Sequence, residues 1–386
     1  MMAAMHRVAV MAATVALAIG VMNPATPWAL AHDMNQDGPD WQDTSLTSST
    51  SRLFTPSSGA LLAVTSDGLM RSDDAGDNWY QVDTAQHQVV YVDPTNQDSL
   101  YATSPMDPLL VSPDGGASWK SLMSGPPYAG KQLNAVAVSP AAANVIYAGL
   151  KQGSISDEYW FYRSNDAGMT WTELFHAHNS LCGWGVAILQ PHPTDASRLF
   201  FSGGCHAGRY VSETLKHSTD QGQTFIYSWS NPGASTVAAA GFPKSLAGGR
   251  GANPQRWYLS VNRDARAGGS FLVASDDDAV SWDTVLDYAG GGTESPDRDT
   301  SFSTTMQAVA YDPSNPDTAY VARSGANAGY PPTPVTSGVT VTSDRGQTWN
   351  DLGNQQEGTL NDLALGIDGQ YLFLATDHGV SRMPLQ

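Results

Sequence analysis

Apolar and polar positions along the chain alternate in short segments, and pairs of apolar segments recur at intervals. Each pair encloses a turn rich in Asp, Pro, Asn and Ser, a pattern typical of β-hairpins. No long segment shows the 3.6-residue periodicity of an amphipathic helix, so the sequence predicts an all-β protein. The clearest hairpins are VVYVDPTNQDSLYA (89–102), AVAVSPAAANVIYAG (135–149), VAILQPHPTDASRLFFS (186–202) and AVAYDPSNPDTAYVA (308–322).

A nine-residue motif lies between the hairpins and occurs six times, first as RSDDAGDNW at 71–79. Paired acids beside an aromatic residue could form a catalytic or metal site, but six copies exclude a unique active site. We expect the Ser or Thr and the Asp to satisfy backbone N–H groups in a turn, and the Gly to adopt a positive φ. The aromatic residue is expected to pack between neighbouring units. The acids are Asp74, Asp114, Asp166, Asp220, Asp277 and Asp344, and the aromatic residues are Trp79, Trp119, Trp171, Phe225, Trp282 and Trp349.

The fifth copy, ASDDDAVSW at 274–282, departs from the other five. Ala279 stands where Gly is usual, and Asp278 adds a third acid. Because Ala resists a positive φ, we expect this turn to be looser or differently closed.

Each repeating unit predicts a four-stranded antiparallel blade, and serial blades form a β-propeller. The hairpin supplies two strands, the third runs into the motif, and the fourth begins at the aromatic residue. A half motif, Gly38-x-x-Trp41, precedes the first blade, and a hairpin at 361–383 ends the chain without a motif. Joining them predicts one seven-bladed propeller over 32–386, whose last blade is completed by an N-terminal strand. Such closure removes exposed sheet edges.

The motif resembles the Asp box of the BNR-repeat propellers, and the resemblance covers nearly all of the chain after residue 31. That group includes sialidases, xyloglucan-active glycoside hydrolases, the sortilin ectodomain and a photosystem II assembly factor. The resemblance implies the propeller fold, but enzymes and binding proteins share this scaffold. The Arg-Ile-Pro segment of the sialidases is missing here. The xyloglucan-active enzymes have two tandem propellers, whereas this sequence predicts one.

The first 31 residues have the pattern of a cleavable signal peptide. His6 and Arg7 precede an apolar run at 8–22, and PWALA at 27–31 ends in an Ala-x-Ala pattern. The apolar run is too short for a membrane span. We therefore expect a secreted or periplasmic protein. The net charge of −18 argues against nucleic-acid binding, and we expect a monomer without a cofactor.

The segment DMNQDG at 33–38 admits a second interpretation. Asp33, Asn35 and Asp37 match the first half of a calcium loop, but Thr44 stands where a bidentate Glu is required. A free amine at His32 could contribute to a copper site, yet no partner is evident. We favour a turn that closes the ring, with no metal.

The two cysteines, Cys182 and Cys205, flank a predicted hairpin, and their sulfurs are expected to meet across it. An exported chain can keep such a pair as a disulfide. The alternative is a soft metal site formed with His206 and either His176 or His178, although this spacing matches no standard zinc signature.

Chain direction within a blade places two sets of loops opposite the Asp boxes: those joining strands two and three, and those between blades. We call this surface the loop face. Its longest loops come from units three to six, so one side should be built up. Two carboxylates there could support glycoside hydrolysis, and aromatic rings could stack on sugars. The candidate carboxylates are Asp157, Glu158, Glu213, Asp264, Asp297 and Asp299, and the candidate ligand-binding residues are Tyr159, Trp160, His176, His178, Trp184, His206, Arg209, Tyr288 and Tyr330.

Nothing in the sequence selects a catalytic pair from these carboxylates. We therefore expect the protein to bind a polysaccharide or a partner protein through the loop face without catalysis. Two alternatives stay open. One is a glycoside hydrolase or lyase acting on an extracellular polysaccharide, and the other is a metal-handling protein centred on Cys182, Cys205 and His206.

Overall fold

The structure is a computed structural model in which every described regular element is a β-strand. Among the residues that the structure describes, no helix has the length and apolar character needed to span a membrane. The described residues are 40–385 apart from 57, 83–87, 94, 105–106, 126, 153–157, 178–185, 208–209, 230–240, 252, 264–268, 290–301, 328–336 and 353–357.

The strands form seven four-stranded antiparallel sheets, named here blades I to VII, as the sequence predicts. Blade I comprises β2 (Thr50–Phe54), β3 (Leu61–Thr65), β4 (Gly68–Ser72) and β5 (Tyr80–Gln81), and blade II comprises β6 (Gln88–Asp93), β7 (Asn96–Thr103), β8 (Leu109–Ser112) and β9 (Lys120–Met123). Blade III comprises β10 (Gln132–Ser139), β11 (Ala142–Gln152), β12 (Glu158–Ser164) and β13 (Thr172–Ala177), and blade IV comprises β14 (Val186–Pro191), β15 (Leu199–Ala207), β16 (Tyr210–Ser218) and β17 (Ile226–Trp229). Blade V comprises β18 (Gly241–Gly248), β19 (Trp257–Arg263), β20 (Gly269–Ser275) and β21 (Asp283–Ala289), and blade VI comprises β22 (Phe302–Tyr311), β23 (Ala319–Asn327), β24 (Gly338–Thr342) and β25 (Asn350–Asp351). Blade VII comprises β26 (Leu360–Leu365), β27 (Tyr371–Thr376), β28 (Gly379–Pro384) and β1 (Gln42–Asp43).

The composition of blade VII confirms the predicted closure of the ring. Strand β1 pairs antiparallel with β28, with Gln42 opposite Arg382. The indole N–H of Trp41 donates to the carbonyl of Leu352 in the preceding blade, at 3.1 Å. The N-terminal strand thus supplies the outer edge of the last blade, and Trp41 takes the place of an Asp-box aromatic residue.

The Asp boxes are turns closed by their own side chains. In blade I the Ser72 hydroxyl accepts the Gly76 N–H at 2.8 Å, and the Asp74 carboxylate accepts the Asn78 N–H at 2.9 Å. Ala75 and Gly76 have successive positive φ angles of 55° and 91°. Hydrogen bonds from Asn78 and Ser72 lower the pKa of Asp74 to about 2. This acid is therefore ionised and engaged within the turn, as expected of a structural joint.

The expectation of a looser fifth turn is wrong. Ser275 accepts the Ala279 N–H at 2.9 Å, and Asp277 accepts the Ser281 N–H at 2.8 Å, which repeats the pattern of the other boxes. Ala279 adopts a φ of 63° and is fully buried. The turn closes normally because an alanine is held in the left-handed region.

A smaller neighbour compensates for the methyl group of Ala279. At the five described boxes that contain Gly, this Gly faces the residue three positions after the aromatic residue of the preceding unit; a Cβ added at Gly168, for example, would lie 2.8 Å from Leu122 Cδ1. At the fifth box this neighbour is Ser228, whose hydroxyl donates to the carbonyl of Ala279. The equivalent residues at the other blades are larger: Thr44, Val82, Leu122, Leu174, Val285 and Leu352.

Asp278 joins blades IV and V through its carboxylate. Its Oδ1 accepts the Trp257 indole N–H at 2.9 Å and lies 3.2 Å from His192 Nε2, and its Oδ2 pairs with Arg198. The Nδ1 of His192 accepts the N–H of Asp195 at 3.2 Å, so the ring is neutral and its Nε2 carries the proton. Burial, helped by the charge of Arg198, lowers the pKa of His192 to about 4. The extra acid of the fifth box is therefore an interblade link.

The innermost strand of every blade carries a β-bulge at an equivalent level. A bulge kinks a strand and strengthens its twist. The innermost strands of blades II to VII each lie beside that of the next blade, β2 lies beside β26, and blade I contacts blade II through β4 and β6. The inserted residues are Ser51, Val90, Asn134, Ala187, Lys244, Gln307 and Asn361.

Candidate functional site

The loop face is asymmetric in the described residues. In blades I and VII the second and third strands are joined by two-residue turns, between Thr65 and Gly68 and between Thr376 and Gly379. The second strand has 5 residues in blade I but 11 in blade III and 9 in blades IV and VI. The strands of blades III, IV and VI therefore extend further, and the loop face is built up on that side.

Many candidate residues lie outside the part of the chain that the structure describes. The disulfide, the calcium loop and most of the candidate carboxylates therefore stay predictions. Cys205, His206 and Glu213 belong to β15 and β16, but only their backbone is described. The residues outside the described ranges are Asp33, Asn35, Asp37, Asp157, His178, Cys182, Trp184, Arg209, Asp264, Asp297, Asp299 and Tyr330.

Three predicted residues, Glu158, Trp160 and His176, meet at the loop-face end of blade III. Trp160 and His176 are cross-strand neighbours, and their rings stack with centroids 4.4 Å apart. His176 Nε2 lies 3.4 Å from a carboxylate oxygen of Glu158, and the side chains of His176 and Glu158 are 21% and 41% exposed. Side chains two residues apart on a strand share one face, which brings Glu158 to the same side as Trp160.

Lys131, which sequence reasoning missed, completes this group. Its ammonium lies 3.8 Å from the Trp160 ring centroid and donates to the Tyr162 hydroxyl at 3.2 Å. Tyr162 in turn donates to Glu173 at 3.3 Å. Burial lowers the pKa of Lys131, although Glu173 and Glu158 oppose this shift. We call Lys131, Glu158, Trp160, Tyr162 and His176 the rim cluster.

Strand β12 explains why the aromatic rings of the rim cluster are buried. The segment EYWFYRS is apolar on both faces because blade III packs between blades II and IV. Trp160 and Tyr162 join the core towards blade II, and Phe161 joins the core towards blade IV. Trp160 is only 7% exposed. Within the cluster, contact with a ligand therefore falls to Glu158, His176 and Lys131, with Trp160 as their support.

The two remaining described candidates, Tyr159 and Tyr288, are also largely enclosed. Tyr159 is 9% exposed. Burial raises the pKa of Tyr288, and the guanidinium of Arg323 lies 5.6 Å from its ring centroid. Neither phenol presents an open ring face comparable to the exposed carboxylate of Glu158.

The described residues contain no group of three or more His, Cys, Asp or Glu side chains able to hold a metal ion. The rim cluster instead combines an acid, an imidazole and an ammonium around aromatic rings. Such a group can form charge-assisted hydrogen bonds with a ligand from a fixed position.

Comparison with known proteins agrees with this architecture. The family model described as Sortilin, neurotensin receptor 3 (Sortilin-Vps10) matches residues 67–225, a segment that contains the first four Asp boxes. The fold is that of an Asp-box propeller. A comparison with curated protein sequences finds no match.

Several solved structures share the fold at low sequence identity. The GH74 xyloglucanase from Xanthomonas campestris is 17% identical with a TM-score of 0.60; the match covers 90% of this chain but 54% of that chain. This chain thus spans about half the length of that enzyme. YCF48 bound to D1 peptide is 15% identical with a TM-score of 0.53, covering 91% of this chain and 97% of that one. Oligogalacturonate lyase in complex with manganese is 10% identical with a TM-score of 0.57, covering 91% and 96%.

Proposed function

We propose that the chain is an exported binding propeller that holds a partner protein through its loop face, without catalysis. The observation that carries the proposal is the rim cluster, in which Glu158, His176 and Lys131 are partly exposed and fixed around a buried Trp160. Export rests on the signal-peptide pattern of residues 1–31, and determining the N-terminal sequence of the mature protein tests it.

The negative charge of the protein favours a partner segment that is positively charged. The chain carries a net charge of −18, and the side chain of Glu158 is more exposed than that of His176, which it contacts. Complementary charge speeds association and selects partners. The likeness to YCF48, whose structure contains a bound D1 peptide, is compatible with this use of the scaffold.

The direct test is partner binding by a variant of the exposed pair. Glu158→Ala combined with His176→Ala is expected to weaken the equilibrium affinity about tenfold or more, because charged hydrogen bonds are lost. The matched control is Asp317→Ala with Arg345→Ala, which removes a partly exposed ion pair outside the rim cluster. The proposal fails if both double variants bind the partner as tightly as the natural chain.

A polysaccharide activity would also overturn the proposal. The purified protein is incubated with xyloglucan and with polygalacturonate, and new reducing ends and unsaturated sugars are measured. We expect neither product. Product formation that disappears with Glu158→Gln would establish a hydrolase or lyase instead.

A further inference from the structure

A cavity of about 320 Å³ lies on the face opposite the rim cluster. Its walls come from the ends of the innermost strands of blades IV to VII and from the hairpin turns that follow them in blades V to VII, with Thr55 from blade I. Because innermost strands surround the propeller axis, the cavity is the Asp-box-face mouth of the central channel. This volume suits a small organic molecule.

The cavity has an apolar side and a single guanidinium. Leu246, Leu365 and Ile367 contribute apolar surface, and Ile367 is 55% exposed. Arg250 is the only basic residue in the lining. Its polar neighbours Asp312 and Asp368 are engaged elsewhere, since each accepts backbone N–H groups of its own turn.

Arg250 has no ion pair or side-chain hydrogen bond with any residue in the described ranges. Arg250 is exposed, yet desolvation by the surrounding protein lowers its pKa. Arg250 can be both exposed and desolvated if its guanidinium projects into the narrow, open cavity. An arginine in such a place favours an anionic ligand, because its five donors have no charged partner among the residues that the structure describes.

Arg250 lies in a turn with a glycine on each side. Gly249 and Gly251 have φ angles of +70° and +69°, in the left-handed region. A Cβ at Gly249 would lie 2.2 Å from Trp257 Cζ2, and a Cβ at Gly251 would lie 1.6 Å from the carbonyl oxygen of Pro313. The Tyr311 hydroxyl donates to the Arg250 carbonyl at 3.3 Å. The backbone is therefore pinned against blade VI, and glycine is required on both sides of the arginine.

We propose that this channel mouth binds a small organic carboxylate. Arg250 pairs with the carboxylate group, and the apolar side formed by Leu246, Leu365 and Ile367 covers the hydrocarbon body. The site is separate from the rim cluster, so the ligand and a loop-face partner can be bound at once.

Calorimetry with hexanoate, hexanamide, acetate and inorganic phosphate tests the proposal. We expect saturable binding of hexanoate, about tenfold tighter than hexanamide because only the acid forms charge-assisted hydrogen bonds. Acetate should bind more weakly than hexanoate because it covers less apolar surface. Equal affinity for acid and amide, no saturable binding of hexanoate, or phosphate binding as tight as that of hexanoate would each overturn it.

Variants locate the site. Arg250→Gln is expected to weaken hexanoate binding about tenfold, and Arg250→Lys to weaken it less because a cation is retained. Arg345→Gln is the control, since Arg345 pairs with Asp317 and does not line the cavity. The thermal midpoint of each variant shows that it is folded. If Lys244→Gln in the middle of β18 abolishes binding while Arg250→Gln leaves it unchanged, the assignment to the mouth is wrong.

Discussion

The contact between Ser228 and Ala279 predicts a strong coupling between two substitutions. At the equivalent contact in blade III, a Cβ on Gly168 would lie 2.8 Å from Leu122 Cδ1, whereas carbon atoms pack best at about 3.5–4.0 Å. Ser228→Leu should therefore drive a leucine methyl group into Ala279. It also removes the hydroxyl that accepts the Trp282 indole N–H at 3.3 Å.

The expected magnitudes separate the two effects. Overpacking and the disturbed hydrogen bond together should lower the free energy of unfolding of Ser228→Leu by about 2–4 kcal/mol. Ala279→Gly alone should be nearly neutral, because relief of the left-handed φ offsets the lost methyl contact. The double variant recreates the contact of the other blades and should recover about 2 kcal/mol of the loss.

Urea denaturation followed by tryptophan fluorescence measures this double-mutant cycle. The reciprocal cycle, Gly168→Ala with Leu122→Ser, is the matched control and should show coupling of the same sign. If Ser228→Leu is as destabilising in the Ala279→Gly background as in the natural chain, side-chain size at this contact does not explain the departure of the fifth box.

Three further outcomes are expected. The pKa of His192 is lowered to about 4 from 6.5, so its contribution to stability is complete above pH 6.5 and is lost as the pH falls towards 4. In urea denaturation at a series of pH values across this window, the free energy of unfolding of the natural chain should fall by about 3 kcal/mol more than that of His192→Gln. Trp41→Ala should lower the free energy of unfolding by about 2–4 kcal/mol, and an unchanged thermal midpoint would contradict the role of the N-terminal strand in closure. Gly251 and Gly369 have the same φ of +69°, but only at Gly251 would a Cβ collide with Pro313. Gly251→Ala should therefore lower the thermal midpoint more than Gly369→Ala, and equal shifts would refute the steric argument.

The fold could be predicted because its signals are local and repeated. Six copies of one turn define the blades, and the half motif ending at Trp41 predicts the strand that completes blade VII. Each signal depends on residues close together in the chain, such as Ser72, Asp74 and Gly76. The number of copies also distinguishes structural turns from functional sites, since the carboxylate of every box acid accepts a hydrogen bond within its own turn.

The residues of the rim cluster and of the channel mouth could be predicted only in part, because their positions depend on packing between blades. Trp160 reads as an exposed platform in sequence, but its strand is covered on both sides. Lys131 lies 29 residues before Trp160 and carries no motif of its own. The segment GGRG at 248–251 was a usable signal, since three glycines around one arginine suit a turn that displays a single side chain.

Closure of blade VII by β1 also affects the order in which the protein can fold during synthesis. Strand β1 is synthesised long before its partner β28, which begins at Gly379. Pairings between such distant segments carry the largest loop-closure entropy and form late. Until β28 has been made, the blades can therefore form only an open arc in which β1 has no partner. Synthesis of β28 allows the arc to become a ring.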